Sequence, residues 1–258
     1  MTRYLLALPL VWLAAMTASP PAFAVDLRRS GFEFMGPSTQ AMQKDDALNP
    51  GMLWVKGGEA LWQSPAGLSN KSCVSCHAAA SSSMKGVAAR YPAFDDKLQH
   101  PMTLSQRINQ CRQQHQQAPA LRPESEELLS LESYVALQSR GMPVAPPNDA
   151  RLKPFQQRGE QRFMQRMGQL NLSCAQCHDA NAGGRLGGSV IPQAHPAGYP
   201  IYRLEWQSMG SLQRRLRSCM NAVRAQSFAY NAQELVELEL YLNVRGKGMP
   251  METPAVRP

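Results

Sequence analysis

The chain has 258 residues, of which 43% are hydrophobic and 18% charged, and this composition is typical of a folded protein rather than a disordered one. Lysines and arginines number 27 against 19 acids, giving a formal net charge of +8. Beyond the first two dozen residues, no apolar run approaches the roughly 20 residues that a membrane-spanning helix requires. We therefore expect no membrane span.

The N-terminus has the pattern of a cleaved secretory signal. Arg3 precedes an apolar run over residues 4–15, and Ala22-Phe23-Ala24 supplies the small residues of a cleavage site. We predict that residues 1–24 are a signal peptide. An uncleaved anchor is the less favoured alternative, because the run is short. Export predicts a periplasmic location for the mature chain, in an oxidising compartment.

The sequence repeats itself once. Its two C-x-x-C-H motifs, at residues 73–77 and 174–178, lie 101 residues apart. Thr103 and Ser211 begin matching segments at an offset of 108 residues, and a further match, which includes a Gly-Met-Pro triplet, follows at an offset of 107. A tandem duplication explains these matches, with one domain at 25–147 and another at 148–258. The boundary is placed where Pro146-Pro147 would break a helix.

The sequence of each half predicts a mainly α unit with long irregular loops. Apolar spacing predicts a first helix (about 57–63 and 154–167), a middle helix capped by Thr103 or Ser211, and a last helix (about 123–137 and 231–244). No alternating strand pattern is evident. The loops at 91–101 and 183–202 are rich in Gly and Pro, and loops of this length suggest that each unit packs around a large cofactor.

The C-x-x-C-H motif is typical of c-type haem attachment, in which two thiols bond to the haem and the adjacent His ligates its iron. This chemistry predicts two covalently bound haem c groups. The attachment residues would be Cys73 and Cys76, and Cys174 and Cys177, with His77 and His178 as axial ligands. A zinc site is disfavoured because the two Cys pairs are 101 residues apart, and a thioredoxin-like site because a βαβ context is missing.

The helical unit resembles a class I cytochrome c domain. The resemblance implies that the first and last helices of each unit cross, with a glycine and an aromatic residue on the first helix packed against a tyrosine on the last. The residues concerned are Gly58, Trp62 and Tyr134 in the first unit and Gly159, Phe163 and Tyr241 in the second.

The second axial ligand of each haem has two sets of candidates. Methionine is the usual choice in an electron carrier, and the repeat-related candidates are Met102 and Met209, with Met142 and Met249 less suitably placed beyond the last helices. Cys111 and Cys219 are stronger candidates, because they occupy equivalent positions and are not used for attachment. They could instead form an interdomain disulfide. Repeat symmetry favours ligation of one iron by each cysteine.

An arginine precedes each of these cysteines by four residues, at Arg107 and Arg215, and therefore shares its helix face. A guanidinium there would lower the cysteine pKa and could bind an oxyanion; the alternative is an ordinary exposed arginine. Further basic residues surround Cys219 in the sequence, namely Arg203, Arg214, Arg217, Arg224, Arg245 and Lys247. They predict a cationic pocket at the second haem, suited to a small dianion or an acidic protein rather than to nucleic acid.

The stretch from 173 to 249 resembles the SoxA family of dihaem cytochromes. The motifs that match are Cys174-x-x-Cys177-His178, Gly184-Arg185-Leu186-Gly187-Gly188, His195-Pro196-x-Gly198-Tyr199-Pro200-x-Tyr202-Arg203-x-Glu205-Trp206, Ser211-Leu212-Gln213-Arg214-Arg215-Leu216-x-x-Cys219 and Phe228-Ala229-Tyr230. The resemblance is weaker over residues 25–150.

This resemblance implies L-cysteine S-thiosulfotransferase activity, in which thiosulfate is joined oxidatively to a cysteine of the carrier SoxY within SoxYZ, and two electrons pass to a c-type cytochrome. It implies that Cys219 is both an iron ligand and the persulfide-carrying catalytic cysteine. Arg215 and Arg245 would bind substrate, and Cys111 would ligate the first haem. A small monohaem cytochrome, SoxX, is the implied partner subunit. The rival hypothesis is a periplasmic dihaem electron carrier with no chemistry of its own.

Overall fold

The computed structural model describes residues 26–258, so the predicted signal peptide at 1–24 lies outside the described residues. The α-helices are α1 (Pro37–Lys44), α2 (Gly51–Gln63), α3 (Val74–His77), α4 (Ala80–Ser83), α5 (Leu104–Cys111), α6 (Glu126–Leu137), α7 (Lys153–Met164), α8 (Cys174–His178), α9 (Leu212–Ala222) and α10 (Gln233–Arg245). Short 3₁₀ turns cover Gly31–Phe34, Ala88–Arg90 and Ala150–Leu152, and a π turn over Arg112–Gln116 continues α5. None of the described helices is both long and apolar enough to span a membrane.

The helices confirm the mainly α prediction, with shifts at their ends. Helix α2 begins at Gly51, six residues before the expected start, and α10 continues to Arg245. The predicted caps are present. The Thr103 hydroxyl accepts a hydrogen bond from the Gln106 amide and begins α5, and Ser211 does the same for the Arg214 amide at the start of α9.

The structure contains short strands for which the sequence showed no alternating pattern. Seven short strands are present in the described residues: β1 (Ala93–Asp95), β2 (His100–Met102), β3 (Arg185–Leu186), β4 (Ser189–Val190), β5 (Ile201–Arg203), β6 (Ser208–Gly210) and β7 (Ala255–Arg257). β1–β2 and β3–β4 are antiparallel hairpins, and β5 pairs antiparallel with β6 and parallel with β7. Strands of two or three residues are too short to display the alternation by which a strand is recognised in a sequence.

The core of each domain is the predicted helix crossing. Where α2 crosses α6, a Cβ on Gly58 would lie 2.1 Å from the Ser130 carbonyl oxygen, so the backbones approach as closely as a glycine allows. Trp62 packs edge-on against Tyr134 with ring centroids 5.9 Å apart. The crossing of α7 and α10 repeats this arrangement in the second domain. A Cβ on Gly159 would lie 2.1 Å from the Glu237 carbonyl oxygen, and the Phe163 and Tyr241 centroids are 5.4 Å apart.

The two domains contact each other through equivalent segments. Pro143 and Pro250, the prolines of the repeated Gly-Met-Pro triplets, face each other in an isolated antiparallel bridge. Beside this bridge, the Val144 amide donates to the Met249 carbonyl and the Gly248 amide to the Val144 carbonyl, both at 2.8 Å. The pairing of equivalent residues indicates an approximate twofold relation between the domains.

The segment that precedes the first helix crossing packs on the second domain. Helix α1 contacts β7, and the Gln43 side chain accepts a hydrogen bond from the Val256 amide. Asn49 donates to the Pro254 carbonyl at 2.9 Å. The division at 147/148 remains a prediction from the repeat, and this contact shows that the chain before α2 contributes to the second half of the fold.

Candidate haem sites

A cavity of about 270 Å³ opens beside the first helix crossing, and we call it the first cavity. Cys73, Cys76 and His77 line it together with Cys111, so that the first attachment motif and the cysteine of the middle helix face one space. Its remaining wall is largely apolar and includes Trp62, Ile108, Leu131 and Val135. An apolar cavity that presents two thiols, an imidazole and a further sulfur fits a covalently attached haem.

A larger cavity of about 640 Å³, the second cavity, occupies the equivalent place in the second domain. His178, Arg215 and Cys219 line it, while Cys174 and Cys177 lie on α8 within the same turn as His178. The His178 Nδ1 lies 2.7 Å from the Pro192 carbonyl oxygen, which accepts its proton and leaves Nε2 free to bind a metal. Burial lowers the pKa of His178, which favours the neutral ring, the form that binds a metal.

The methionine candidates lie away from both cavities. Met102 and Met209 are 3% and 0% exposed within the strands β2 and β6, and neither lines a haem cavity. Met142 and Met249 belong to the interdomain bridge, where their backbones pair. Met84, which the sequence did not suggest, lines the first cavity beside Cys111.

All six cysteines are free of disulfide bonds. Cys111 lines the first cavity and Cys219 the second, so each faces the cavity of its own domain. This placement is the one expected for ligands copied by duplication, and it differs from the interdomain disulfide that was the alternative.

The two arginines that precede these cysteines have different partners. Arg107 pairs with the buried Asp95 at 2.9 Å and donates to Gln110. Burial raises the pKa of the Cys111 thiol, and the charge of Arg107 offsets this only in part, so the expected lowering of a cysteine pKa is not found in the first domain. Arg215 makes no side-chain hydrogen bond or ion pair with any residue of 26–258, and it shares the second cavity with Cys219.

Arg245 lines an adjoining recess of about 450 Å³, which shares His178 and His195 with the second cavity. Its guanidinium pairs with Asp179 at 2.6 Å and stacks over the Phe163 ring at 4.7 Å. Two nitrogens in this recess, Arg245 Nε and His195 Nδ1, are buried without a hydrogen-bond partner among the described residues. Of the two arginines predicted to bind substrate, Arg215 therefore shares a cavity with Cys219, and Arg245 does not line that cavity.

Part of the predicted cationic cluster lines the second cavity. Arg203 joins Arg215 there, whereas Arg214 stacks over Trp206 at 4.1 Å and Arg217 over Tyr230 at 4.5 Å. Three further arginines line this cavity although they are not close to Cys219 in the sequence, namely Arg29, Arg185 and Arg257. Arg29 and Arg257 are distant in the chain, and only the packing of the two termini on the second domain brings them here.

Two helical units of this kind, in each of which the histidine of a C-x-x-C-H motif and the cysteine of the middle helix line one cavity, are typical of a c-type cytochrome. The family model described as SoxA/TsdA, cytochrome c domain, matches this chain at residues 57–144 and 158–251. The chain therefore belongs to the SoxA/TsdA cytochrome c family, and the resemblance to SoxA is confirmed.

Similar proteins cover nearly the whole chain. The L-cysteine S-thiosulfotransferase subunit SoxA of Pseudaminobacter salicylatoxidans is 36% identical, over 95% of this chain and 86% of its own length. The subunit of the same name from Rhodovulum sulfidophilum is 34% identical, over 94% and 85%. Among solved structures, a chain of SoxXA from P. pantotrophus matches with a TM-score of 0.86 at 32% identity, covering 90% of this chain and 87% of that one.

Proposed function

We propose that this chain is the SoxA subunit of an L-cysteine S-thiosulfotransferase, with Cys219 as its catalytic cysteine. One observation supports the site above all. Cys219 shares a cavity with His178, the histidine of an attachment motif, and with Arg215, which has no acidic partner in the described chain. A reactive sulfur, a redox cofactor and a free guanidinium are what the oxidative coupling of a sulfur oxyanion requires. The names of relatives that cover 93–95% of the chain support the same activity.

The chain would hold two haem c groups. Cys73 and Cys76 would attach the first, with His77 and Cys111 as axial ligands. Cys174 and Cys177 would attach the second, with His178 and Cys219 as axial ligands. When bound, the haem supplies an acceptor that takes electrons one at a time.

The reaction balances with one proton and two electrons. Cys219 would carry a persulfide, whose terminal sulfur would form a bond to the sulfane sulfur of thiosulfate with loss of two electrons, for which the oxidised c-type cytochrome is the final acceptor. The thiolate of a carrier cysteine, formed by loss of one proton, then attacks that sulfane sulfur. This attack releases the Cys219 persulfide and leaves an S-sulfosulfanyl group on the carrier.

The protein side chains position this chemistry. Arg215 binds the sulfonate end of the dianion with its guanidinium fork and directs the sulfane sulfur toward Cys219. Arg185 adds positive potential to the same cavity, whereas Arg29 and Arg257 there are paired with Glu33 and Glu252. Arg245 is already paired with Asp179 outside this cavity, and its contact with substrate stays a prediction.

The reaction requires partners. The similar chain of known structure belongs to a SoxXA complex, and this supports a SoxX-like monohaem cytochrome as the partner subunit. A SoxYZ-like carrier would supply the acceptor cysteine, and a c-type cytochrome would remove the electrons. All of these reactions would take place in the periplasm, to which the predicted signal peptide directs the chain.

The decisive experiment supplies the haem-loaded complex with thiosulfate, a carrier protein with one reactive cysteine, and an oxidised cytochrome c. We expect the carrier to gain the mass of one thiosulfate group while two cytochromes are reduced. The rival hypothesis, a dihaem electron carrier, predicts reduction of the cytochrome by a suitable donor with no change in the carrier's mass. Peptide mapping of the complex should also find an extra sulfur on Cys219 that a thiol reductant removes.

A further inference from the structure

The equivalent strands β1 and β5 differ at one charged position. At the offset of 108 residues that relates Thr103 to Ser211, Asp95 corresponds to Arg203. The hairpins confirm the match, because Asp95 pairs with His100 and Arg203 with Ser208 in the same register. The last residue of the strand is therefore acidic in the first domain and basic in the second.

In the first domain this position neutralises the arginine of the middle helix. Asp95 is buried and accepts hydrogen bonds from the Lys97 and Leu98 amides at 3.0 and 2.9 Å. Its other carboxylate oxygen pairs with Arg107 at 2.9 Å. Although burial opposes the shift, these donors and the charge of Arg107 lower the pKa of Asp95, so the carboxylate stays ionised and occupies the guanidinium.

In the second domain the same position adds a second guanidinium. Arg203 is 7% exposed and lines the second cavity with Arg215 and Cys219. Its Nε donates to the Pro258 carbonyl at 2.9 Å, and its Nη2 pairs with Glu205 at 2.6 Å. Its Nη1 has no hydrogen-bond partner in the described part of the chain.

Within the second cavity, the charges of Arg203 and Arg215 repel each other. Burial lowers the pKa of Arg203, and the nearby charge of Arg215 lowers it further. Glu205 compensates only in part, because its own side chain is 61% exposed and its charge is screened by water. A dianion between the two guanidiniums would remove this repulsion and neutralise both charges.

We propose that Arg203 is a specificity-determining residue, the second guanidinium of the substrate site, and that its exchange with Asp95 restricts the binding of sulfur oxyanions to the second domain. The proposal rests on the proposed function and deepens it. Thiosulfate is doubly charged, so a second guanidinium beside Arg215 matches the charge of the dianion in a half-buried site. An aspartate in place of Arg203 would instead pair with Arg215 and exclude the substrate.

The test measures thiosulfate turnover by the haem-loaded complex and, separately, thiosulfate binding to the same complex by calorimetry without carrier. Arg203→Gln should raise the KM and the Kd about tenfold, the usual effect of losing one charge-assisted contact, with kcat nearly unchanged. Arg203→Asp, which copies the first domain, should have a larger effect than Arg203→Gln. The matched control is Arg166→Gln, which removes the same charge from an exposed position on the second domain. We expect it to resemble the wild type.

Glu205→Gln provides an independent variant, because Glu205 is exposed and its loss should not affect folding. Release of Arg203 from this partner should lower the KM for thiosulfate a few-fold. A purely structural role, in which Arg203 only fixes the end of the chain through Pro258, would lower the melting temperature of Arg203→Gln and leave KM and Kd unchanged. That result would overturn the proposal while the proposed function remained.

The two hypotheses can fail separately. If the wild-type complex binds thiosulfate but never modifies a carrier, the proposed function fails. The calorimetric comparison of Arg203→Gln with Arg166→Gln then still decides whether Arg203 belongs to an anion site.

Discussion

The two domains have the same scaffold but differ in the ion pairing of the arginine that precedes the cysteine of the middle helix. Both cross their first and last helices at a glycine whose missing side chain lets the backbones touch, at Gly58 and Gly159. In the first domain, Asp95 pairs with Arg107 of the middle helix. The equivalent Arg215 of the second domain has no acidic partner within residues 26–258. After a duplication, a few charges at the cavity wall can therefore separate the functions of two copies while the packing stays fixed.

The histidines show the same division. His178 is partly buried and its Nδ1 is fixed by the Pro192 carbonyl at 2.7 Å, whereas His77 is exposed and makes no such bond in the described structure. The second cavity is also the larger, at about 640 Å³ against 270 Å³. These differences fit the proposal that the second domain accepts the substrate.

The largest expected difference between the domains concerns their equivalent cysteines. Cys219→Ala should lower thiosulfate-dependent turnover by about 10³-fold or more, because it removes the sulfur that holds the transferred group. Cys111→Ala should change the haem absorption spectrum and reduce turnover at most a few-fold. Mass spectrometry of the carrier gives turnover, and the spectra show that both haems are present. Equal losses in the two variants would mean that both domains are catalytic.

The shared scaffold predicts equal effects from equal changes. Gly58→Ala and Gly159→Ala each place a Cβ 2.1 Å from a carbonyl oxygen, so the crossing helices must separate. We expect each to cost about 2–4 kcal/mol of unfolding free energy, measured by denaturant titration. Gly188→Ala is the control, since nothing lies within 4 Å of its added Cβ. A large loss in one domain and none in the other would contradict the equivalence of the two crossings.

Substitution of the two helix arginines should affect different properties, substrate binding for Arg215 and stability for Arg107. Arg215→Gln should raise the KM for thiosulfate about 10- to 100-fold through the loss of charge-assisted hydrogen bonds, with little change in melting temperature. Arg107→Gln should leave KM unchanged but reduce stability by about 1–3 kcal/mol, because Asp95 becomes a buried carboxylate without its cation. Steady-state kinetics and thermal melts on both variants check the pattern. A raised KM in Arg107→Gln would contradict the assignment of substrate to the second domain.

The sequence predicted the features that depend on local pattern or on exact repetition. The two attachment motifs and the capping residues Thr103 and Ser211 could be recognised because each recurs at a fixed spacing, and the glycines of the helix crossings were implied by the resemblance to class I cytochromes c. The short strands could not, because two or three residues show no period. The arginines contributed by the termini depend on long-range packing that composition does not encode.

The exchange of Asp95 for Arg203 could be predicted from the sequence only in part. Its signal was present in the sequence, since the offset of 108 residues aligns the two positions. The pairing of Asp95 with Arg107, by contrast, depends on how a strand end packs against a helix, and only the structure supplies that distance of 2.9 Å. The repeat thus identifies the two positions, but the effect of each residue on the helix arginine could be read only from the structure.

The two domains also contribute a pair of equivalent acidic residues to one shared cavity. Glu132 on α6 and Glu239 on α10 occupy matching positions at the offset of 107, and both line a cavity of about 80 Å³ between the domains, together with Glu124. Burial raises the pKa of Glu132 to about 8 and that of Glu239 to about 7, and the mutual repulsion of these carboxylates adds to the shift at Glu132.

Both shifts predict that stability falls as pH rises. The folded state binds these protons more tightly than the unfolded chain, whose glutamates titrate near 4.5, so the stabilisation is complete below pH 4.5 and is lost as pH rises through about 7 to 8. The cavity has room for water, which reduces the burial penalty, and we expect a loss of about 1 kcal/mol for Glu132. Glu132→Gln should therefore unfold at a higher temperature than the wild type at pH 8 and at the same temperature at pH 5.

Glu239→Gln should show the same effect at smaller size, because its pKa lies closer to the ordinary value. Glu160→Gln, an exposed change on α7, should leave the pH dependence of the wild type intact. If neither interdomain variant alters the slope of melting temperature against pH, both carboxylates are ionised in the folded protein. The two equivalent residues would then be ordinary solvated glutamates, and the interface between the domains would be open to water.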